Sequence, residues 1–334
     1  MTFSFMKASQ ASRPSVVFIL FLVLSGLVVK AHSAEKHLAY LVPDARIPFW
    51  NIMANGVRHE ASGLGYRVSV YSAENQARKE LEFTAQAIRD DVDGIILSPT
   101  NSSAAVTVLK LAKQAGIPVV VSDIGADTEN YVSYIKSNNY QGAYDLGEML
   151  AYALSKKGWQ GGSVGIIAIP QKRDNGKART RGFLDALEEH GIRSAGLVQQ
   201  SDFSYRETYD FARQLIAQNP DLRALWLQGS DRYQAALNGI ADSGKTGEIL
   251  LICFDAEPEF IDMIADGRLV GAGMQQPFLM GEKAVDTMDL YLQGQNVKKV
   301  QQVDVLPVSN RNLDQWMPLI MRNVLGQQLG GIQE

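Results

Sequence analysis

The sequence of 334 residues contains a single cysteine, Cys253. A lone cysteine excludes an intrachain disulfide, so core packing has to hold the fold together. Cys253 lies in the apolar run ILLICFD, where a cysteine behaves as a small buried hydrophobic residue. A chain of this length can build enough core, because the fraction of surface buried on folding rises with chain size.

Clustered charge is also missing. The formal net charge is -4, charged residues make up 20% of the chain, and no run of Lys or Arg forms a basic stripe. Binding to nucleic acid depends on such clusters, so we expect no nucleic acid partner. The hydrophobic share of 46% is that of an ordinary globular protein, and the length favours two domains.

Signatures of cofactors are absent as well. The first apolar strand is followed by PDARIPFW rather than a glycine-rich turn, which excludes the dinucleotide fingerprint. No calcium loop of the form D-x-[DN]-x-[DN]-G occurs. The histidines show no metal-ligand spacing and have no companion cysteine; they are His32, His37, His59 and His190. We therefore expect no cofactor, no metal, no catalytic residues and no enzymatic activity.

The N-terminus has the pattern of an export signal. Lys7 and Arg13 precede the apolar run VVFILFLVLSGLVV, and Ala31-His-Ser33 gives the small-x-small pattern of a signal-peptidase site. The run is shorter than the roughly 20 residues needed to span a bilayer, which argues against an uncleaved anchor. We predict a cleavable signal peptide over residues 1–33, with Ala34 the first mature residue, and a periplasmic protein. No cysteine lies near the site, so a lipid anchor is not indicated.

From His37 onward, short apolar runs alternate regularly with helical segments. The runs are nearly continuous in hydrophobicity, as strands covered on both faces should be: HLAYLV, YRVSVYS, GIILSP, PVVVSD, SVGIIAIP, GLVQQS, ALWLQ, ILLICFD and LVGAGM. One set ends near Ser137 and a second runs from Asn138 to Gln276, leaving a helix over Pro277–Leu292 and a strand VDVLPV. This order predicts an α/β fold of two doubly wound, Rossmann-like parallel-sheet domains.

Polar and aromatic residues stand where the predicted strands end. In open parallel sheets, ligands bind beyond the carboxyl ends of the strands. The residues at those ends are Asp44, Arg46, Phe49, Trp50, Asp123, Arg179, Phe203, Asp255 and Gln275. Such residues are also common in ordinary loops, so their position alone is weak evidence for a binding site.

Taken together, several stretches resemble the type I periplasmic sugar-binding proteins, the ribose-binding group, which share their fold with the ligand domains of lactose-repressor-type regulators. The resemblance spans roughly residues 37–313. It rests on the order and spacing of IPFWNIMANGVRHEASGLGY, DGIILSPTNSSA, AGIPVVVSD, ARTRGFLDAL, NPDLRALWLQGSD, CFDAEPE and GRLVGAGMQQPFLMG. A signal sequence stands where a repressor would carry its DNA-binding headpiece, so the regulator interpretation fails.

The resemblance implies two lobes joined by a hinge of three crossing segments, with the ligand held in the cleft between them. The crossings fall near Ser137–Asn139, Gln275–Pro277 and Val303–Leu306. Each lobe is then discontinuous in sequence. The N-terminal lobe comprises 35–137 plus 277–303, and the C-terminal lobe comprises 138–275 plus 304–334.

Three aromatic residues match ring-flanking positions of the family. Phe49 and Trp50 correspond to the aromatic pair on one face of the sugar, and Phe203 to the ring that closes from the other side. A sugar face presents C–H groups that an aromatic ring attracts, and contact expels water. The alternative is a hydrophobic staple, in which one ring packs on the adjoining helix. We expect at least one ring, with Trp50 favoured, to face the cleft.

Four polar residues match ligand contacts of the family. Asp123 and Asp255 correspond to carboxylates that accept hydroxyl hydrogen bonds, although an Asp at such a turn can instead cap a helix. Arg179 corresponds to an arginine whose planar guanidinium donates to the ligand, and we expect its partner to be the ligand rather than a core carboxylate. Gln275 corresponds to an amide near the hinge that both donates and accepts.

Three family contacts are missing, because Ile47, Ile124 and Gly229 stand where ribose binders carry polar residues. Arg46, Ser230 or Asp231 could substitute, or could simply be exposed. The ligand is therefore expected not to be ribose in the usual mode. Another monosaccharide, a deoxy sugar, a polyol or a furanone-like molecule remain open.

Two roles fit a monomeric protein of this kind. It could deliver its ligand to an inner-membrane ABC permease, or its closed form could regulate a membrane sensor kinase, cyclase or chemoreceptor. The tail 314–334 holds a plausible amphipathic helix. That helix could pack on its own lobe or dock to a partner.

Overall fold

The structure is a computed structural model that describes residues 36–327. The predicted signal peptide, Ala34 and residues 328–334 lie outside the described residues. The strands are Lys36–Val42 (β1), Tyr66–Ser72 (β2), Gly94–Leu97 (β3), Val119–Ser122 (β4), Ser133–Ser137 (β5), Ser163–Ala168 (β6), Arg193–Gln199 (β7), Leu222–Leu227 (β8), Leu250–Phe254 (β9), Gly271–Met274 (β10), Val300–Val303 (β11) and Leu306–Ser309 (β12).

The helices lie between these strands. They are Pro48–Gly63 (α1), Ala77–Arg89 (α2), Ala104–Gln114 (α3), Asn139–Lys157 (α4), Asp174–Glu189 (α5), Tyr205–Gln218 (α6), Tyr233–Asp242 (α7), Phe260–Ala265 (α8), Pro277–Leu292 (α9) and Leu313–Leu319 (α10), followed by a π-helical turn over Ile320–Val324. Within 36–327, none of them is both long and apolar enough to cross a membrane.

The strands form two six-stranded sheets. The first has the order β11-β5-β4-β3-β1-β2 and is parallel throughout. The second has the order β12-β10-β9-β8-β6-β7, and only its edge strand β12 is antiparallel. This confirms the predicted fold class. We call the first sheet with α1–α3 and α9 the first domain, and the second sheet with α4–α8 and α10 the second domain.

Both faces of each sheet are covered by helices. In the first sheet Tyr40 and Ile96 face the core beneath α1 and α9, while their neighbours Leu41 and Leu97 face α2 and α3. The second sheet repeats the arrangement, with Trp226 packed beneath α4 and α5. Alternate residues of a strand point to opposite faces, so two apolar faces require the continuous apolar runs seen in the sequence.

The chain passes between the two sheets three times. It crosses from β5 to α4, from β10 to α9 and from β11 to β12. The run VDVLPV, expected as one strand, is divided by the last crossing, so that Val303 ends a strand of one sheet and Leu306 begins a strand of the other. Strand β5 was not recognised in the sequence.

Helices α1 and α9 cross at very short range over the first sheet. A Cβ added at Gly56 of α1 would lie 2.1 Å from the backbone oxygen of Phe278, and one added at Gly281 of α9 would lie 2.4 Å from that of Met53. Only glycine allows backbones to approach this closely. The crossing therefore fixes the position of α9 against α1. Helix α9 begins directly after the second hinge segment.

The C-terminal tail contacts both domains. Ile320 and Val324 are buried in the core of the second domain. The Arg322 guanidinium donates to both carboxylate oxygens of Glu282 on α9, at 3.0 and 2.9 Å. Pro318 lies inside α10 and lacks a backbone donor, and the regular helix gives way to a π-helical turn just after it. As far as residue 327, the tail packs on the protein itself.

Candidate functional site

The carboxyl ends of the two sheets face one another across a cleft. In both sheets the strand order reverses, at β1 in the first and at β6 in the second, which is where open α/β sheets bind ligands. Side chains from the second domain bond directly to the first: Asn175 to Asp123, and Arg173 to the Thr100 carbonyl. The two sets of strand ends therefore lie side by side.

Asp123 follows β4 and is buried, with 2% of its surface exposed. Its Oδ2 accepts a 3.0 Å hydrogen bond from Nδ2 of Asn175 on α5. Its Oδ1 has no hydrogen-bond partner among residues 36–327. Burial raises the pKa of Asp123 to about 6, while the charge of nearby Arg179 opposes the rise. No helix begins between β4 and β5, so Asp123 does not cap a helix.

Asp255 follows β9 and is joined to two other predicted site residues. Its Oδ2 lies 3.5 Å from Nη1 of Arg179, and its Oδ1 accepts a short hydrogen bond from Nε2 of Gln275. Burial raises the pKa of Asp255. Helix α8 has Glu259 as its N-cap, so the capping alternative for Asp255 is wrong.

Arg179 lies on α5 and is 2% exposed. It donates from Nε to Oδ1 of Asn139 at 2.8 Å, and from Nη1 to the backbone oxygen of Gln228 at 2.7 Å. Its guanidinium also lies 3.9 Å from the centroid of the Phe254 ring. The expectation that Arg179 has no carboxylate partner within the protein is wrong, because Asp255 pairs with it.

Gln275 directly follows β10, in the hinge segment that leads to α9. Its side chain is buried at 1% exposure, and its Oε1 has no hydrogen-bond partner in the described part of the chain. Oε1 of Gln228, directly after β8, is also buried and has no hydrogen-bond partner among those residues. With Oδ1 of Asp123, these atoms make three buried acceptors at the strand ends that lack a donor among residues 36–327.

Phe203 follows β7 and is 8% exposed. The Arg173 guanidinium lies 5.4 Å from the centroid of its ring. A cation at that distance over an aromatic face is attracted to it. Arg173 also bonds to the first domain. The Phe203 ring therefore packs against a residue that joins the two domains.

Three of the predicted site residues have left-handed backbone conformations. The φ angles are +60° at Asp123, +57° at Phe203 and +66° at Asp255. Such conformations cost of order 1–3 kcal/mol in a residue other than glycine, and they concentrate at functional sites. A bulky residue such as Phe203 adopts one only when its surroundings enforce it.

Phe49 and Trp50 lie in the first turn of α1. Their rings pack edge to face, with centroids 4.8 Å apart and planes at 88°. Trp50 is 5% exposed and belongs to the core cluster of the first sheet, while Phe49 is half-buried at its edge. The two rings therefore pack against each other as a pair. Contact of either ring with a ligand stays a prediction.

The residues named as possible substitutes for the missing contacts have other partners. Arg46 pairs with Asp44 and is exposed. Ser230 donates to Glu257 at 2.8 Å, and Asp231 is ion-paired to Arg232. Of the three missing positions, Ile124 is fully buried in the apolar core of the first domain.

Sequence reasoning missed several residues of this site. They are Asn75, Thr100, Asn139, Arg173, Asn175 and Gln228. The one local signal was the polar run QKRDNGKAR after β6, of which only Arg179 was chosen. Lys177 and Arg181 of that region are exposed.

One group of possible metal-ligating residues occurs in the described chain, away from the strand ends. The ligand atoms of His59, Glu60 and Glu282 lie within 4.8 Å of one another. Glu282 is already bonded to the Arg322 guanidinium, whose charge disfavours a cation. This group gives no support for a metal site.

The raised pKa of the buried Glu80 on α2 should make the stability of the protein depend on pH. Its Oε2 accepts the Thr100 N–H, and burial raises the pKa of Glu80 to about 7 from an ordinary value of 4.5. The folded state therefore binds this proton more tightly than the unfolded chain, and the resulting stability is lost as the pH rises through about 7. We expect the melting temperature to fall between about pH 5 and about pH 8, and Glu80→Gln to flatten that fall.

The matched control is Glu82→Gln, on the exposed face of the same helix. Thermal unfolding followed by circular dichroism across this pH range compares the three proteins. A pH profile of Glu80→Gln identical to that of the unsubstituted protein would show that Glu80 does not titrate in this window.

Known proteins match this chain in sequence. The family model described as "Periplasmic binding protein domain" matches residues 38–296. The ribose import binding protein of Escherichia coli is 29% identical over 286 residues, covering 84% of this chain and 93% of the relative. The D-apiose import binding protein of Paraburkholderia graminis is 26% identical over 261 residues, covering 78% and 82%.

Solved structures share the fold. An ABC transporter solute-binding protein from Agrobacterium vitis, bound to α-D-tagatopyranose, matches with a TM-score of 0.77 at 22% identity, covering 86% of this chain and 99% of the other. A protein of the same class from Bacillus halodurans, bound to myo-inositol, matches with a TM-score of 0.77 at 17% identity, covering 86% and 99%. At these identities the likeness concerns the fold alone.

Proposed function

Because this chain belongs to the periplasmic binding protein domain family, we propose that it is a solute-binding protein that captures a sugar or sugar-like ligand between its two domains and delivers it to an inner-membrane ABC permease. The lobes would be 35–137 plus 277–303 and 138–275 plus 304–334. The protein would act in the periplasm as a monomer, after loss of residues 1–33. Relatives that carry the words import binding protein in their names support transport over sensing.

The observation that carries this proposal is a set of buried acceptors, on Asp123, Gln228 and Gln275, for which the described part of the chain supplies no donor. A buried acceptor left unpaired costs about 1–3 kcal/mol, so a ligand that donates hydrogen bonds there gains affinity. Hydroxyl groups are such donors, and those that donate to a carboxylate form the stronger, charge-assisted kind of hydrogen bond. A polyhydroxylated molecule fits best.

The ligand is proposed to differ from ribose in its usual mode. Ile124 is buried in the core and offers no polar group to a ligand, and Ile47 and Gly229 likewise have no polar side chain. A ligand with fewer hydroxyls, or with a different ring shape, would lose less from those missing contacts. Monosaccharides, deoxy sugars and polyols are therefore the first compounds to test.

A thermal-shift screen over those compounds tests the function. A ligand at a hundredfold excess over its Kd stabilises the folded state by about 2.7 kcal/mol, which is readily visible as a shift. We expect a sugar or polyol to shift the transition, and Asp123→Asn to remove the shift. Asp127→Asn, an exposed position close by, should keep it.

Two results would overturn the proposal. One is a transition shifted by nucleotides or metal ions and by no hydroxylated compound. The other is chemical conversion of the bound compound, which mass spectrometry of the recovered ligand would reveal.

A further inference from the structure

The N-cap and the first two residues of α5 bond the second domain to the first. Arg173 donates from Nε to the Thr100 carbonyl and from Nη2 to Oδ1 of Asn75, both at 3.2 Å. The backbone N–H of Asp174 donates to Oγ of Ser102 at 3.4 Å. Asn175 donates to Asp123 at 3.0 Å. All four bonds join protein groups directly across the cleft.

Arg173 is unusual among these residues because it is a buried cation with neutral partners. It is 7% exposed, and within 36–327 no carboxylate forms an ion pair with it. Burial lowers the pKa of Arg173 to about 10. Arg173 is the N-cap of α5, but its side chain makes no capping hydrogen bond. Its burial results from contact with the other domain.

The acceptor for Arg173 is held in place by its own domain. Glu80 of α2 accepts the N–H of Thr100, so the same residue presents a fixed carbonyl to the guanidinium. On its other side Arg173 covers the ring of Phe203. Arg173 thus connects a rigid group of the first domain to an aromatic residue of the binding site.

We propose that Arg173, Asp174 and Asn175 form an interdomain latch that stabilises the closed cleft through protein contacts alone, with Arg173 as a positioning residue for Phe203. Closure then populates the binding-competent form before the ligand arrives. The apparent affinity of a ligand is reduced by the fraction of protein that is not competent, so the latch raises affinity without touching the ligand. The effect on affinity rests on the proposed function, whereas the effect on closure does not.

Small-angle X-ray scattering of the ligand-free protein tests the latch. We expect Arg173→Ala to have a larger radius of gyration than the unsubstituted protein, because the open form gains population. Asn75→Ala, which removes one acceptor from the opposite domain, should change it in the same direction by less. Lys172→Ala, the exposed neighbour, should leave it unchanged.

Arg173→Lys separates the latch from a simple requirement for positive charge. Lysine keeps the charge but cannot donate to Thr100 and Asn75 in the same planar geometry, so it should restore closure only in part. Arg173→Ala and Asn75→Ala change opposite domains. If one of these variants fails to fold, the radius of gyration of the other still tests the latch.

Binding measurements complete the test once a ligand is known. Arg173→Ala should weaken binding about tenfold or more, since each lost charge-assisted bond contributes about that factor or more. Ligand-free radii of gyration that coincide for Arg173→Ala and the unsubstituted protein would overturn the latch. That result would leave the proposed function standing, and failure of the ligand screen would leave the scattering result standing.

Discussion

Replacing Arg179 with Ala is expected to abolish ligand binding and to lower the melting temperature by several degrees. The guanidinium is buried and bonded to Asn139, to the Gln228 carbonyl and to Asp255. Its loss leaves Asp255 as an uncompensated buried charge, and breaking a buried pair in this way costs about 3–5 kcal/mol. Binding should fail because Asp255 and Gln275 lose the geometry that Arg179 imposes.

The matched control is Arg181→Ala, two residues along the same helix. Arg181 is exposed and only loosely paired with Asp185, at 3.7 Å, so its loss should cost about 0–1 kcal/mol. Calorimetric titration and thermal unfolding of both variants separate the two positions. Binding by Arg179→Ala at the affinity of the unsubstituted protein would remove Arg179 from the site.

Replacing Gly56 with Ala is expected to destabilise the protein by about 1–3 kcal/mol or more, as overpacking of a well-filled interior does. The added methyl group would lie 2.1 Å from the backbone oxygen of Phe278, so α1 and α9 must separate. Because α9 starts at the hinge, ligand affinity should fall together with stability.

Gly63→Ala gives the comparison within the same helix. A Cβ at Gly63 meets nothing within 4 Å, and alanine is favoured over glycine in a helix by roughly 0.5–1 kcal/mol. Chemical denaturation should therefore rank Gly63→Ala at or above the unsubstituted protein and Gly56→Ala well below it. Equal stabilities would mean that the two helices can move apart freely.

The architecture could be predicted from the sequence because strands covered on both faces are apolar throughout. The elements that were missed lack that pattern. Strand β5 alternates buried Ile135 with half-buried Lys136, and its burial depends on pairing with β4 and β11 rather than on its own residues. The run from Val300 to Val308 carries no sign that its two halves belong to different sheets, since the hinge between them is a tertiary feature.

Three of the predicted site residues share a property that a sequence can reveal, namely a position shortly after a strand. Asp123, Phe203 and Asp255 were found in this way. Arg173 and Asn175 could not be, because their partners lie 73, 98 and 52 residues away in the other domain. Their role exists only when two separately wound sheets face each other, and no local periodicity records that.

The placement of α9 and β11 also determines when the first domain can be completed during synthesis. Helix α9 covers the face of the first sheet formed by Leu38 and Tyr40, and β11 supplies its edge beyond β5. A ribosome makes both elements only after the entire second sheet except β12. Until then α1 has no partner for its glycine face, and the contacts that close the domain span most of the chain. Contacts of such long range slow folding, so the first domain should complete its fold only when the chain is almost fully made.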